Sequence, residues 1–269
     1  MIFNAFERMV ALRYLRARRE EGFVSVIAGF SLAGIALGVA TLIIVMSVMN
    51  GFRAELMGRI LGLNGHMGVY SLTSQPLTDF DRIATAISKL DGVERVIPTV
   101  EGQVLVSANR VATGAIVRGV RADDIRKRRI IADNIRAGTL DDFKGNSSII
   151  IGTRMAQKFG VRPGDSIRLV SPQSNATAFG SVPRSKRYRI AALFEVGMFE
   201  YDSGFIFMPL EAAQIYFQSK DAVTNIELFL DNPDRVDPIR VEILRAAGMP
   251  LRLVDWQQAN ASFFNAIKV

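Results

Sequence analysis

These 269 residues contain no cysteine and a single histidine, His66. Without cysteine there is no disulfide framework, no thiolate nucleophile and no thiolate metal site, an inventory compatible with an oxidising compartment. One histidine leaves the usual zinc sites and histidine-based triads short of ligands and bases. His66, just after a helix stop, therefore reads as structural. A G-x-x-x-x-G-K-[ST] phosphate loop is also missing, so any nucleotide hydrolysis must belong to another subunit. The adjacent acids Asp123/Asp124 and Asp141/Asp142 do not face each other in a helix. Ser185 and Lys186 are neighbours that point to opposite faces of a strand. The chain is thus expected to hold no catalytic residue, no metal and no cofactor.

Charge is missing from Gly22 to Phe52, and the centre of that run is apolar: Ile35, Leu37, Val39, then Leu42 to Met46. As a helix it would reach roughly 45 Å, against a hydrocarbon core of about 30 Å. A cleaved signal peptide has a shorter apolar region and a small-x-small cleavage site. A soluble core helix keeps a polar face, and here charge is absent all round. The run is read as a transmembrane helix, residues 22–52. Gly29, Gly34 and Gly38 with nearby alanines give it a side suited to close helix packing.

The formal net charge is +7, which would ordinarily raise nucleic acid as a partner. Its distribution points elsewhere. Arg8, Arg13, Arg16, Arg18 and Arg19 crowd ahead of the span, within a short amphipathic segment 1–21 suited to the membrane interface. Positive charge there marks the cytoplasmic side, so the N-terminus lies inside and the rest outside, with no nucleic-acid role. A second basic cluster, Arg126, Lys127, Arg128 and Arg129, reads as a solvated helix face or a contact for lipid headgroups or an acidic partner.

Helical composition continues from Arg53 to Leu63, and Asn64-Gly65 stops it. Strands then alternate with helices. His66–Ser71, Val93–Val100, Gly102–Ser107, Ala112–Val120 and Ser148–Gly152 are expected strands, followed by Ser166–Ser171, Arg187–Phe194, Phe205–Met208, Val223–Leu230 and Leu251–Val254. Helices are expected at 79–90, 153–159, 210–218, 235–247 and from Asp255 toward Val269. Asn109-Arg110 reads as a hairpin turn. This mixture is α+β. Between two of the strands lies a polar loop, Pro172 to Pro183, bounded by prolines and carrying Phe179. Arg168 precedes it, and Arg184, Lys186, Arg187 and Arg189 follow. A stiffened loop of that length with an apolar tip and flanking cations suits docking of a protein partner.

The residues resemble the LolC/LolE permease family, the transmembrane subunits of the lipoprotein-releasing ABC transporter. The resemblance rests on Ala11 to Arg18, Ser47 to Phe52, Glu55-Leu56, Ile60 to Gly62 and His66. It continues with Arg118-Gly119, Ile149 to Gly152, Gly164-Asp165, Gly197 to Asp202, Pro209-Leu210, Ala213-Gln214, Trp256-Gln257 and Ser262 to Phe264. It implies a MacB-like mixed α/β periplasmic domain of two subdomains at 53–260, with 261–269 leading into a second span. The chain would then be an incomplete permease, multi-pass at full length, in the bacterial inner membrane. The resemblance further implies an ATPase subunit (LolD-like) that binds ATP and Mg, and a second permease, LolC/LolE-like or a copy of the same chain. Triacylated lipoproteins would pass to the periplasmic carrier LolA. The loop 172–183 would be a hook that binds the carrier through Arg168, Pro172, Phe179, Pro183 and Lys186. By analogy, Val45, Met46, Met49, Asn50 and Phe52 would face the lipoprotein or membrane lipid. The alternative is a MacB-type exporter or an FtsX-type regulator on the same domain plan; a membrane-anchored hydrolase has almost no side-chain support.

Overall fold

The computed structural model describes residues 4, 6–7, 9–10, 13, 22–73, 75–177, 180–233, 236–259 and 261. The expected interfacial helix over 1–21 and the lead-in at 261–269 fall mostly outside them. The chain forms two compact units, Met1–Met57 and Gly58–Val269.

The first unit is dominated by helix α1 (Gly22–Leu63), whose last six residues belong to the second unit. Val26–Gly51 is a 26-residue stretch long and apolar enough to cross a membrane. Its large side chains are exposed, as a surface meant for hydrocarbon should be. A Cβ added at Gly29, Gly34 or Gly38 would meet nothing within 4 Å.

The second unit continues with β1 (Met67–Ser71), β2 (Leu77–Thr78), α2 (Phe80–Ile87), β3 (Val93–Ala108) and β4 (Val111–Val120). Next come α3 (Ala122–Lys127), α4 (Arg129–Ala132), β5 (Ile135–Gly138), β6 (Ser148–Gly152) and α5 (Thr153–Phe159). A hairpin follows, β7 (Ser166–Thr177) with β8 (Gly180–Phe194). The remaining elements are α6 (Phe199–Gly204), β9 (Phe205–Pro209), α7 (Leu210–Phe217), β10 (Ala222–Val223), β11 (Asn225–Leu230), α8 (Val236–Ala247), β12 (Leu251–Asp255) and α9 (Trp256–Ala259).

The main sheet has the order β12-β1-β11-β3-β4-β9-β6-β8-β5, with β7 joining β3 and β8. One lobe is a pair of split β-α-β units: β1–α2–β3 with β11 between its strands, and β11–α8–β12 with β1 between its strands. Helix α2 buries Phe80, Ile83, Ala84 and Ile87, the i, i+3, i+4, i+7 face that its sequence period dictates. The other lobe is inserted between the second and third strands of the first. Strand β3 serves both, pairing with β11 through Thr99 and with β4 from Val100 onward. Two separate strands were expected here. Glu101 and Gly102 instead keep their ladder partners Arg118 and Val117, so no break occurs. At the expected hairpin, Asn109 and Arg110 have φ of 48° and 66°, the left-handed pair that matches strand twist. The Asn109 amide donates to the Phe159 carbonyl at 2.7 Å.

Leu63, the last residue of α1, is fully buried in a core with Ile97, Phe143, Phe194, Phe207 and Phe229. That core draws on both lobes, so the helix end is part of the fold rather than a tether to it.

Candidate functional site

The described residues of the stretch Pro172–Pro183 are strand rather than loop. β7 and β8 continue through it, pairing Ser174 with Pro183, Asn175 with Val182, Ala176 with Ser181 and Thr177 with Gly180. The register shifts between Val170 and Ser174, where Pro172 removes a ladder donor; irregular positions like this are where strands tolerate proline. β3 accompanies β7 only from Arg168 to Val170, so beyond that the two strands form a two-stranded arm. Phe179 lies outside the described residues.

The register also sorts the flanking cations. Arg168 stands opposite Arg187, and Lys186 opposite Leu169. Paired residues share a face and neighbours alternate, so Arg168 and Arg187 share one face while Lys186 sits on the other. There the Lys186 ammonium donates to the Asn146 carbonyl at 2.7 Å and lies 5.0 Å from the Tyr188 ring. The structure brings Pro172 and Pro183 together at one groove and separates Arg168 from Lys186. On α1, Val45, Met46, Met49 and Asn50 are exposed and fall within an arc of about 140° at 3.6 residues per turn. The side chain of Phe52 lies outside the described residues.

A second constellation was not anticipated. Arg128 was expected on a solvated face, yet it is 1% exposed. It occupies the bend between α3 and α4, with φ −82° and ψ 83°, and that bend turns it inward while its basic neighbours stay on the surface. Its guanidinium bonds Glu227 Oε2 at 2.5 Å and also donates to the carbonyl of Leu63. Arg118 donates to the same carbonyl at 3.2 Å and to Glu101 Oε2 at 2.7 Å, and lies 3.7 Å from Glu227 Oε1. Two guanidinium groups thus cap the C-terminus of α1, where unsatisfied carbonyls and the helix dipole favour cations. Two carboxylates balance their charge.

Burial alone would raise the Glu227 carboxyl, but Arg128 and then Arg118 outweigh it and hold its pKa below the usual value. Burial likewise opposes the Arg118 charge, while Glu227 and Glu101 hold its pKa above the usual value. For Glu227 the depressed folded value makes the stabilisation complete above about pH 4.3, and it drains away as pH falls through the folded value. The expected outcome is an acid limb of stability against pH that is steeper in the native protein than in Glu227→Gln, read by thermal unfolding at pH 3–7. Parallel limbs would contradict the pairing.

The residues after Leu63 are fastened in the same way. Asn64 donates to the Tyr201 hydroxyl at 2.5 Å, and Tyr201 stacks on Phe205 at 4.5 Å. Arg118 sits 4.9 Å from the centre of the Phe205 ring. Gly65 leaves room for β11: a Cβ there would be 2.9 Å from Glu227 Cβ and 3.0 Å from the Leu228 nitrogen. His66 Nδ1 accepts from the Leu230 N–H at 2.9 Å, and its carbonyl accepts from the Trp256 N–H at 3.0 Å. Burial pushes its pKa down, which fits a neutral imidazole accepting that bond.

The stretch Gly197–Asp202 serves this junction too. The buried Asp202 carboxylate accepts from the N–H groups of Val196 at 2.8 Å and Gly197 at 3.0 Å, closing the turn that presents Tyr201. Gly152 allows this turn to pack, because a Cβ there would stand 2.1 Å from the Asp202 carbonyl oxygen. The arrangement is a clasp. Its charges are paired with each other and with main chain, which suits holding a helix end rather than attacking a substrate.

The LolC protein of Xylella fastidiosa strain Temecula1, named a lipoprotein-releasing system transmembrane protein, is 33% identical over 100% of this chain and 64% of its own length. LolC of Neisseria meningitidis serogroup B strain MC58 is 30% identical over 98% of this chain and 64% of its own. The chain therefore spans just under two thirds of the length of these curated relatives. Among solved structures, the periplasmic region of MacB from Actinobacillus actinomycetemcomitans aligns over 77% of this chain and 96% of its own, with TM-score 0.51 and 11% identity; that likeness is one of fold. The family model for the MacB-like periplasmic core domain matches residues 28–246. By that match, which takes in most of the chain, the protein belongs to the MacB-like periplasmic core domain family.

Proposed function

We propose that the chain is the first span and periplasmic domain of an ABC-transporter permease that extracts lipoproteins from the bacterial inner membrane. The cargo passes to a periplasmic carrier that docks on the β7–β8 arm. The N-terminus lies in the cytoplasm, the full-length permease crosses the membrane several times, and a separate ATPase subunit binds ATP and Mg. A second permease, related or identical, completes the transporter.

The observation that carries this reading is identity along the whole chain to proteins named for lipoprotein release. The arm supports it physically. A two-stranded projection, with Arg168 and Arg187 on one face of the three-stranded base from which it springs, offers a carrier a cationic surface. The clasp supports a mechanical role, because a helix end sealed into a hydrophobic core moves with that core.

The test is co-purification of the full-length protein from its native membranes under mild solubilisation. An ATPase, a permease copy and a periplasmic lipoprotein carrier are expected to come with it. Recovery with a periplasmic efflux adaptor and no carrier would overturn the reading.

A further inference from the structure

Below the root of the arm lies an apolar groove of about 760 Å³, within the range of pockets that hold small ligands. Its floor is the outward face of paired strands β3, β4 and β7, where Leu105 stands opposite both Gly114 and Val170. Phe205 closes one end, and Pro172 and Pro183 flank the other. Leu105 is 48% exposed, so a large aliphatic side chain meets water in the middle of the floor. The Phe205 ring is the one stacked under Arg118 and Tyr201. The groove therefore runs from the clasp at the end of α1 to the root of the arm.

The chemistry of the lining selects the occupant. A sheet face directs its main-chain N–H and C=O groups sideways into its own ladders. An extended peptide laid along this floor would find main-chain partners only at the short open edges of β3 and β7 past Leu105 and Val170, and each of its polar groups left unpaired elsewhere is costly. Gln103, Ser171 and Glu200 are the polar residues of the lining, and Glu200 is its one charge. A hydrocarbon chain has neither hydrogen bonds to satisfy nor charge to pair, and gains free energy with every methylene covered. We propose that the groove binds a fatty acyl chain of the cargo as it passes from the membrane toward the arm. This rests on the lipoprotein-release reading and assigns a second acyl contact, within the second unit.

The test uses the full chain in nanodiscs and a soluble dipalmitoyl lipopeptide with a diazirine in one acyl chain, with ATPase and carrier both absent. Photolysis is expected to label the segments 103–116 and 170–172, located by mass spectrometry. Gly114→Trp should cut this labelling ~10-fold or more, equivalent to about 1.4 kcal/mol. A Cβ at Gly114 meets nothing within 4 Å, so the new side chain starts in open space, and an unchanged melting temperature is expected for this variant. Leu105→Ser, which removes exposed apolar surface only, should weaken labelling with an unchanged melting temperature. Label confined to α1, or label in the groove that Gly114→Trp leaves unchanged, overturns the proposal. So does a photo-crosslinker at position 105 that captures the carrier protein in preference to the lipopeptide. Groove labelling in a protein that co-purifies with no carrier would sink the transport reading instead and leave the acyl site standing.

Discussion

Arg128→Met is expected to lower the unfolding free energy of the second unit by about 3–5 kcal/mol, the cost of leaving a buried carboxylate without its main partner. For a unit of this size that corresponds to a fall in melting temperature of roughly 6–20 °C. Glu227 is 4% exposed, so water cannot replace the lost guanidinium. The Leu63 carbonyl would also lose one of its two arginine donors. The double variant Arg128→Met, Glu227→Leu should be less destabilised than the sum of the two single variants, since it removes both charges together. Thermal unfolding of the full chain in nanodiscs reads all four proteins of the cycle. Strict additivity would mean that the two groups do not act as a pair, and the clasp would lose its basis.

The second large effect concerns the arm. Under the proposed function, Phe179→Glu should weaken capture of the periplasmic carrier ~30-fold or more, the size of a central hot spot worth about 2 kcal/mol. Arg168→Glu should weaken capture less and flatten its dependence on salt, as loss of a steering charge does. Lys186→Glu should do little, because the Lys186 ammonium is held by the Asn146 carbonyl on the opposite face. Carrier binding measured at several salt concentrations separates the three. Equal losses for Arg168→Glu and Lys186→Glu would contradict the facing drawn from the strand register.

Much of this was legible from local pattern. The absence of charge from Gly22 to Phe52, the stop at Asn64-Gly65 and the 3–4 spacing of Phe80, Ile83, Ala84 and Ile87 each depend on neighbours in sequence. The clasp does not. Arg128 lies in a run of four basic residues, and nothing local separates it from Arg126 or Arg129. Its partners are 65 residues away at Leu63 and 99 away at Glu227. One signal was present: Glu227 interrupts the apolar strand Asn225–Leu230, every residue of which is buried. A carboxylate in such a strand requires a buried cation. The arm is hidden in the sequence for another reason. Proline and small polar residues are the marks of a loop, and only strand pairing across the arm lets Ser174, Asn175, Ala176 and Thr177 extend instead.

Under the proposed function, this domain passes lipoprotein from the membrane to a carrier by way of the arm. The direct measurement is ATP-driven release of a radiolabelled triacylated lipoprotein from proteoliposomes holding the full-length permease and its ATPase, with carrier outside. Replacing residues 172–183 by a two-residue turn should abolish release to the carrier while ATP hydrolysis continues. Release at the native rate from the arm-less protein would contradict the account.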